Sequence, residues 1–127
     1  MQKFHRDERL KSRKSIAHLF KQGRSTHVYP VRFIYAIIEG ESRARPVKVA
    51  FAVPRRAIRR AVMRNRIKRR LREAYRIHKA DLLGDITNSI DLIFLYSGKE
   101  EHDYHFIEKA MKKCLRRLYH ACKSTES

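Results

Sequence analysis

From Val31 to Ile38 nearly every side chain is apolar, with Val31, Phe33, Tyr35 and Ile37 on one face of an extended chain and Ile34, Ala36 and Ile38 on the other. A strand with two apolar faces needs cover on both. IDLIFLY (Ile90 to Tyr96) has the same character and reads as a central strand beneath a helix. VKVAFAV (Val47 to Val53) is rich in β-branched and aromatic residues, and Pro54 closes it because proline cannot donate to a ladder. Across the polar turn GESRARP (Gly40 to Pro46), this segment is expected to form a hairpin with Val31 to Ile38. Arg24 to Tyr29 is left open between a loop and a short strand of its own.

Three other segments have helical periodicity. Ser12 is placed to cap a helix from about Arg13 to Gln22, with Ile16, Leu19 and Phe20 on one face and Gly23 as the stop. From about Ile58 to Lys79, an apolar stripe of Met63, Ile67, Leu71, Ala74 and His78 opposes Asn65, Lys68, Arg69, Arg72 and Arg76. Asp81 to Ser89 reads as a loop. A last helix, about Asp103 to Cys122, presents Tyr104, Ile107, Met111, Cys114, Leu118 and Ala121 at helical spacing, and KSTES beyond it is expected to fray. The plan is α+β: one domain over residues 1–127, with helices packed on a mostly antiparallel sheet.

Charge changes the picture. The chain has 31 Lys+Arg against 13 Asp+Glu, a formal +18 over 127 residues with a pI of about 10.6, while 43% hydrophobic content is that of a folded domain. In Arg55 to Arg76 (RRAIRRAVMRNRIKRRLREAYR) eleven of twenty-two side chains are cationic and Glu73 is the only acid. Packing so many cations together costs self-repulsion, which points to a polyanionic partner, nucleic acid above all. No apolar run approaches the length of a membrane span and the N-terminus lacks a secretory pattern, so a soluble, cytoplasmic protein with no membrane partner is expected.

Candidate protein chemistry is sparse. Cys114 and Cys122 lie eight residues apart, about 12 Å along a helix, too far for a disulfide, and read as core residues. His102, His105 and His120 show no zinc spacing, and His102 and His105 are expected at the surface. Asp81, Asp85, Asp91, Glu100, Glu101 and Asp103 are scattered rather than clustered as a two-metal nuclease requires. No protein-borne catalytic set is expected.

AVMRNRIKRRLREAY (Ala61 to Tyr75) resembles the signature of the protein subunit of bacterial ribonuclease P, and RLKSRKSIAHLFKQGRS (Arg9 to Ser25) resembles that family's opening segment. The resemblance implies an α-β-β-β-α-β-α sandwich with a left-handed βαβ crossover, ribosomal protein S5 domain 2-like. It also implies a cofactor for a catalytic RNA, which cuts precursor tRNA at the 5′ end through Mg²⁺ bound mainly by RNA and substrate. By this resemblance Arg64, Asn65, Arg66, Lys68, Arg69 and Arg72 bind the catalytic RNA, Phe20 stacks in a cleft for the 5′ leader of precursor tRNA, and no protein partner is implied. Ile16, assigned with Phe20 to the leader cleft, stands where the family commonly has an aromatic, one turn before Phe20. A family Lys-Lys pair is replaced within PRRAIRR, where Arg55 and Arg56 are favoured over Arg59 and Arg60 as RNA-binding residues. Tyr35 is open between the leader cleft and the core, because the facing of its strand is unresolved. The alternative reading is a non-catalytic ribosomal or structured-RNA-binding protein, distinguished by the RNA that co-purifies.

Overall fold

The computed structural model describes residues 8–41, 43 and 45–126, with the side chains of residues 125 and 126 excepted. The extreme N-terminus and Ser127, on which the secretory and fraying expectations partly rested, lie outside the described residues. Along the chain run α1 (Arg13–Gln22), β1 (Arg24–Val28), β2 (Val31–Ile38), β3 (Val47–Ala52), α2 (Ala61–Leu83), β4 (Ser89–Tyr96) and α3 (Tyr104–Glu126). Arg24 to Val28 is thus a strand, and α3 runs past Cys122 rather than fraying there. Within α2, the helix starts later and ends later than the stripe suggested. Ile58 is buried in the preceding turn, and Leu82 and Leu83 extend the apolar contacts of the last turn.

The four strands form one sheet in the order β1-β2-β4-β3. β2 pairs antiparallel with both β1 and β4, whereas β3 pairs in parallel with β4, so the expected β2–β3 hairpin does not form. β4 takes the place between them. Its eight residues are buried or nearly so on both faces, and such a strand gains a ladder on each edge and cover on each face only in the sheet interior. α2 then supplies the crossover that parallel pairing of β3 and β4 requires.

Strand alternation divides the apolar residues between two cores. Val31, Phe33, Tyr35, Val49, Phe51, Ile90, Leu92, Phe94 and Tyr96 face α2 and α3, meeting Ile67, Leu71, Ala74 and Tyr75 of α2 and Ile107, Met111, Cys114, Leu115 and Leu118 of α3. Phe33, Phe94 and Phe51 lie side by side across three strands, with centroids 6.1 and 5.7 Å apart, and Tyr75 caps the row 5.7 Å from Phe51. Cys114 and Cys122 are fully buried thiols, and burial pushes the Cys114 thiol up to about 12. The opposite core is smaller: Leu10, Leu19, Ile34 and Ile93, with Ile16, Ala36, Ala50, Ala52 and Leu95 at its margin, lies beneath α1. One ten-residue helix leaves much of that face uncovered.

α1 has the boundaries its sequence predicts. Ser12 Oγ accepts from the Ser15 amide at 3.2 Å, and the Gly23 amide donates to Leu19 O at 2.8 Å. Gly23 is needed for space rather than for a left-handed turn, since its φ is −72°. A Cβ there would sit 2.4 Å from Leu19 O and 2.7 Å from Ile34 Cγ2. Gly23→Ala should therefore cost about 1–3 kcal/mol of stability through overpacking. Urea unfolding reads the loss, and an unchanged midpoint would mean that α1 does not seat against Ile34 as described.

Candidate nucleic-acid interface

The uncovered part of the α1 face is a groove. Phe20, at the end of α1, lines it with Arg32 of β2, Arg55 and Arg56 of the turn after β3, Leu95 of β4 and Lys99 beyond β4, enclosing about 810 Å³. Phe20 is 52% exposed although it follows the fully buried Leu19, because one turn of α1 overhangs the edge of the small core. Its ring is thus open to a ligand, with Arg55, Arg56 and Lys99 exposed around it. Of the further cations here, Arg32 is legible in the sequence, since it alternates with Ile34 and Ala36 on the α1 face of β2, and Lys99 is not.

Ile16 is half-buried and packs on the small core, one turn behind Phe20 but outside the lining of this groove. Tyr35 belongs to the other side. It is 8% exposed, packs in the core under α2 and α3, and stacks with Phe33 at 6.0 Å. The leader-cleft assignment of Tyr35 is corrected by strand parity: odd-numbered residues of β2 point away from α1.

The cationic surface of α2 has two tiers. Asn65 and Arg69 are exposed and Lys68 and Arg72 half-exposed. Arg66 and Arg70 turn toward the segment between β4 and α3 and share one carboxylate. Arg66 Nε and Nη2 donate to both oxygens of Glu101 at 2.8 Å, while Arg70 Nη1 donates to Glu101 Oε2 at 2.8 Å and to His102 O at 2.8 Å. The hydrogen bond from Arg66 holds the Glu101 carboxyl below the usual carboxylate range, and the same bond raises the Arg66 guanidinium. Sequence spacing gave no signal for this arrangement, because Glu101 is 35 residues from Arg66.

Arg64 is different again. Its Nη1 donates to Ile58 O at 3.0 Å and to Arg59 O at 2.5 Å, fastening the turn that leads into α2. No side chain caps this helix at Arg60, so Arg64 ties down the approach instead. Among the described residues no group of three His, Cys, Asp or Glu side chains could hold a metal ion. No helix of the described residues is long and apolar enough to cross a membrane.

A family model described as ribonuclease P matches residues 4–119. The chain is 37% identical over 117 residues to the ribonuclease P protein component of Porphyromonas gingivalis, covering 89% of this chain and 84% of that one. It is 33% identical over 105 residues to that of Chlorobaculum tepidum, covering 76% and 68%. In fold it resembles the ribonuclease P protein of Staphylococcus aureus (TM-score 0.70, 19% identity, 87% and 94% covered) and that of Thermotoga maritima (TM-score 0.67, 23% identity, 87% and 96% covered).

The two tiers predict different stability effects. Arg64→Ala removes the donor to two turn carbonyls and should cost about 1 kcal/mol. Arg69→Ala, on the exposed face, should stay within about 0.5 kcal/mol of the unsubstituted chain. Denaturant midpoints of both variants check this; equal losses would remove the distinction between a fastening and a surface arginine.

Proposed function

The chain belongs to the ribonuclease P protein family, the protein components of a tRNA 5′-processing endoribonuclease that partner ribonuclease P RNA; from that premise we propose that it binds the catalytic RNA through α2 and the 5′ leader of precursor tRNA in the groove at Phe20. The observation that carries the second half is the half-exposed Phe20 ring set among Arg32, Arg55, Arg56 and Lys99. An aromatic face accepts an unpaired base of any identity, and arginine forks grip the phosphates on either side. A single strand meets both needs, whereas a paired stem offers no free base face.

The first half rests on Lys68, Arg69 and Arg72, with Asn65 between their turns, and on Arg66 held by Glu101. Chemistry belongs to the RNA in this reading. Mg²⁺ would stabilise charge at the cleaved phosphate, but the described side chains offer no cluster suited to hold it. What this chain does is bind, orient and neutralise. Its contribution should be largest where Mg²⁺ is scarce, because cationic side chains can replace part of the counterion charge that folded RNA needs.

Reconstitution tests the whole. The isolated chain should not cleave precursor tRNA at any Mg²⁺ concentration, and adding it to a bacterial ribonuclease P RNA should restore cleavage at Mg²⁺ levels too low for the RNA alone. Cleavage by RNA-free protein would sink the reading. For α2, Arg69→Ala should flatten the slope of log K against log salt for the catalytic RNA by about 0.7–0.9, one phosphate contact. For the groove, Phe20→Ala should weaken binding of precursor tRNA by tenfold or more, since a stacked base is worth about 1–3 kcal/mol. Mature tRNA, which has no leader, should bind as before. Because Phe20 is half-exposed, the melt should move far less than the 3–5 kcal/mol that truncating a buried phenylalanine costs. Equal weakening toward precursor and mature tRNA would show that the ring does not meet the leader.

A further inference from the structure

Among the described residues the exposed Phe and Tyr rings are few, and two of them stand together away from the Phe20 groove. Tyr29, in the β1–β2 turn, is 51% exposed, and Phe106, in the first turn of α3, is 43% exposed. His102 joins them. Its ring stacks on Phe106 with centroids 4.4 Å apart and planes 20° apart, and Tyr29 meets both rings edge-on at 5.6 and 6.3 Å. Burying these rings against one another does not hide them, so an apolar π surface stays in water that folding alone does not require.

The cluster is held rather than loose. Tyr29 Oη lies 3.3 Å from His102 Nε2, the His102 amide donates to Tyr96 Oη at 3.1 Å, and Tyr96 Oη donates to Glu100 O at 2.6 Å. Asp103 Oδ1 accepts from the Phe106 amide at 2.9 Å, fixing the start of α3. Arg70 reaches the His102 carbonyl, and Glu101, next in the chain, holds Arg66 and Arg70 together. The Glu100 carboxylate stands 3.9 Å from His102 Nε2 and is mostly exposed, whereas that of Glu101 is engaged by two guanidinium groups. The cluster is joined to α2 through the His102 carbonyl, which accepts from Arg70, and through Glu101, the residue before it, which accepts from Arg66.

We propose that Tyr29, His102 and Phe106 form a stacking platform for one unpaired base of the catalytic RNA, placed beside the phosphate contacts of Arg66. The inference rests on the assignment of α2 to that RNA. The occupant follows from charge and shape: a chain of net charge +18 attracts a polyanion, and the His102–Phe106 stack is a column that a flat base can extend by one ring. The leader is the less suitable occupant, because its groove lies on the α1 face of the sheet and this cluster lies on the α3 side.

The test uses the full chain and a transcribed bacterial ribonuclease P RNA. Phe106→Leu keeps apolar volume but removes the ring; it should weaken RNA binding by about fivefold to a hundredfold with the salt slope unchanged, because a stacked base releases no counterions. Phe106→Trp should bind within twofold of the unsubstituted chain, and its indole, the sole tryptophan of a chain that otherwise has none, should be quenched as RNA is added. If Phe106→Leu also lowers the melting temperature, the quenching decides: its absence overturns the platform. Binding within twofold for Phe106→Leu, while Arg69→Ala weakens it, overturns the platform and leaves the function standing. A loss confined to precursor tRNA, with catalytic RNA unaffected, overturns the choice of occupant. No binding of the unsubstituted chain to the RNA overturns the function itself.

Discussion

Burial of Ile67, Leu71, Ala74 and Tyr75 against the sheet holds together a helix whose own surface charge pushes it apart. Like charges at i and i+4, as at Arg64/Lys68 and Lys68/Arg72, each cost about 0.2–0.5 kcal/mol. A fully buried Ile or Leu returns about 1.5–3 kcal/mol, so one such residue offsets several repulsive pairs. The row of Phe33, Phe94 and Phe51 beneath Tyr75 makes that burial possible, and the row exists only because β4 lies between β2 and β3. Sheet order and the cationic surface are therefore one constraint: without β4 at the centre, α2 has no aromatic floor to sit on.

Local features of this fold were legible and non-local ones were not. The ends of α1 could be read from Ser12 and Gly23, and the two-faced character of β2 and β4 from their apolar runs, because caps and alternation are written within a few residues. The partner of β3 was misread. Val47 to Val53 follows β2 across a short turn, and adjacency favours a hairpin, yet a strand separated by the whole of α2 outcompetes it by being apolar on both faces. Tyr75 was also passed over, although it lies four residues beyond Leu71. The stripe was drawn through Ala74 and His78, and a tyrosine among arginines reads as surface until a deep aromatic core is known beneath it.

The candidate site divides the same way. Phe20 and the arginines at 55 and 56, which the family resemblance assigns to two different surfaces, meet in one groove, and their convergence with Arg32 and Lys99 depends on strand ends that sequence does not align. Tyr35 failed for a one-residue reason: parity along β2 decides its face, and nothing local fixes which parity meets α1. The pairing of Glu101 with Arg66 and Arg70, and the meeting of Tyr29 with His102 and Phe106, join segments more than 30 and 70 residues apart. The first depends on α2 passing the segment after β4, the second on the β1–β2 turn lying beside the end of β4.

The tiering of α2 has a physical consequence for how such a surface binds. A free lysine or arginine loses side-chain entropy when it grips a phosphate, so its net return is small, but it releases counterions fully. An arginine already fixed by a carboxylate has given up much of that freedom in the folded chain. Arg66 spends its Nε and Nη2 on Glu101, leaving Nη1 for a ligand, with 45% of the side chain exposed. It can make fewer hydrogen bonds than a free arginine, but makes them in one direction. In the proposed complex Lys68, Arg69 and Arg72 could follow a flexible backbone, whereas Arg66 would fix where along α2 a phosphate stands. A helix that carried only free cations would bind RNA tightly in many registers; guanidinium groups fixed by a carboxylate, as Arg66 and Arg70 are by Glu101, would narrow that choice if α2 binds RNA as proposed.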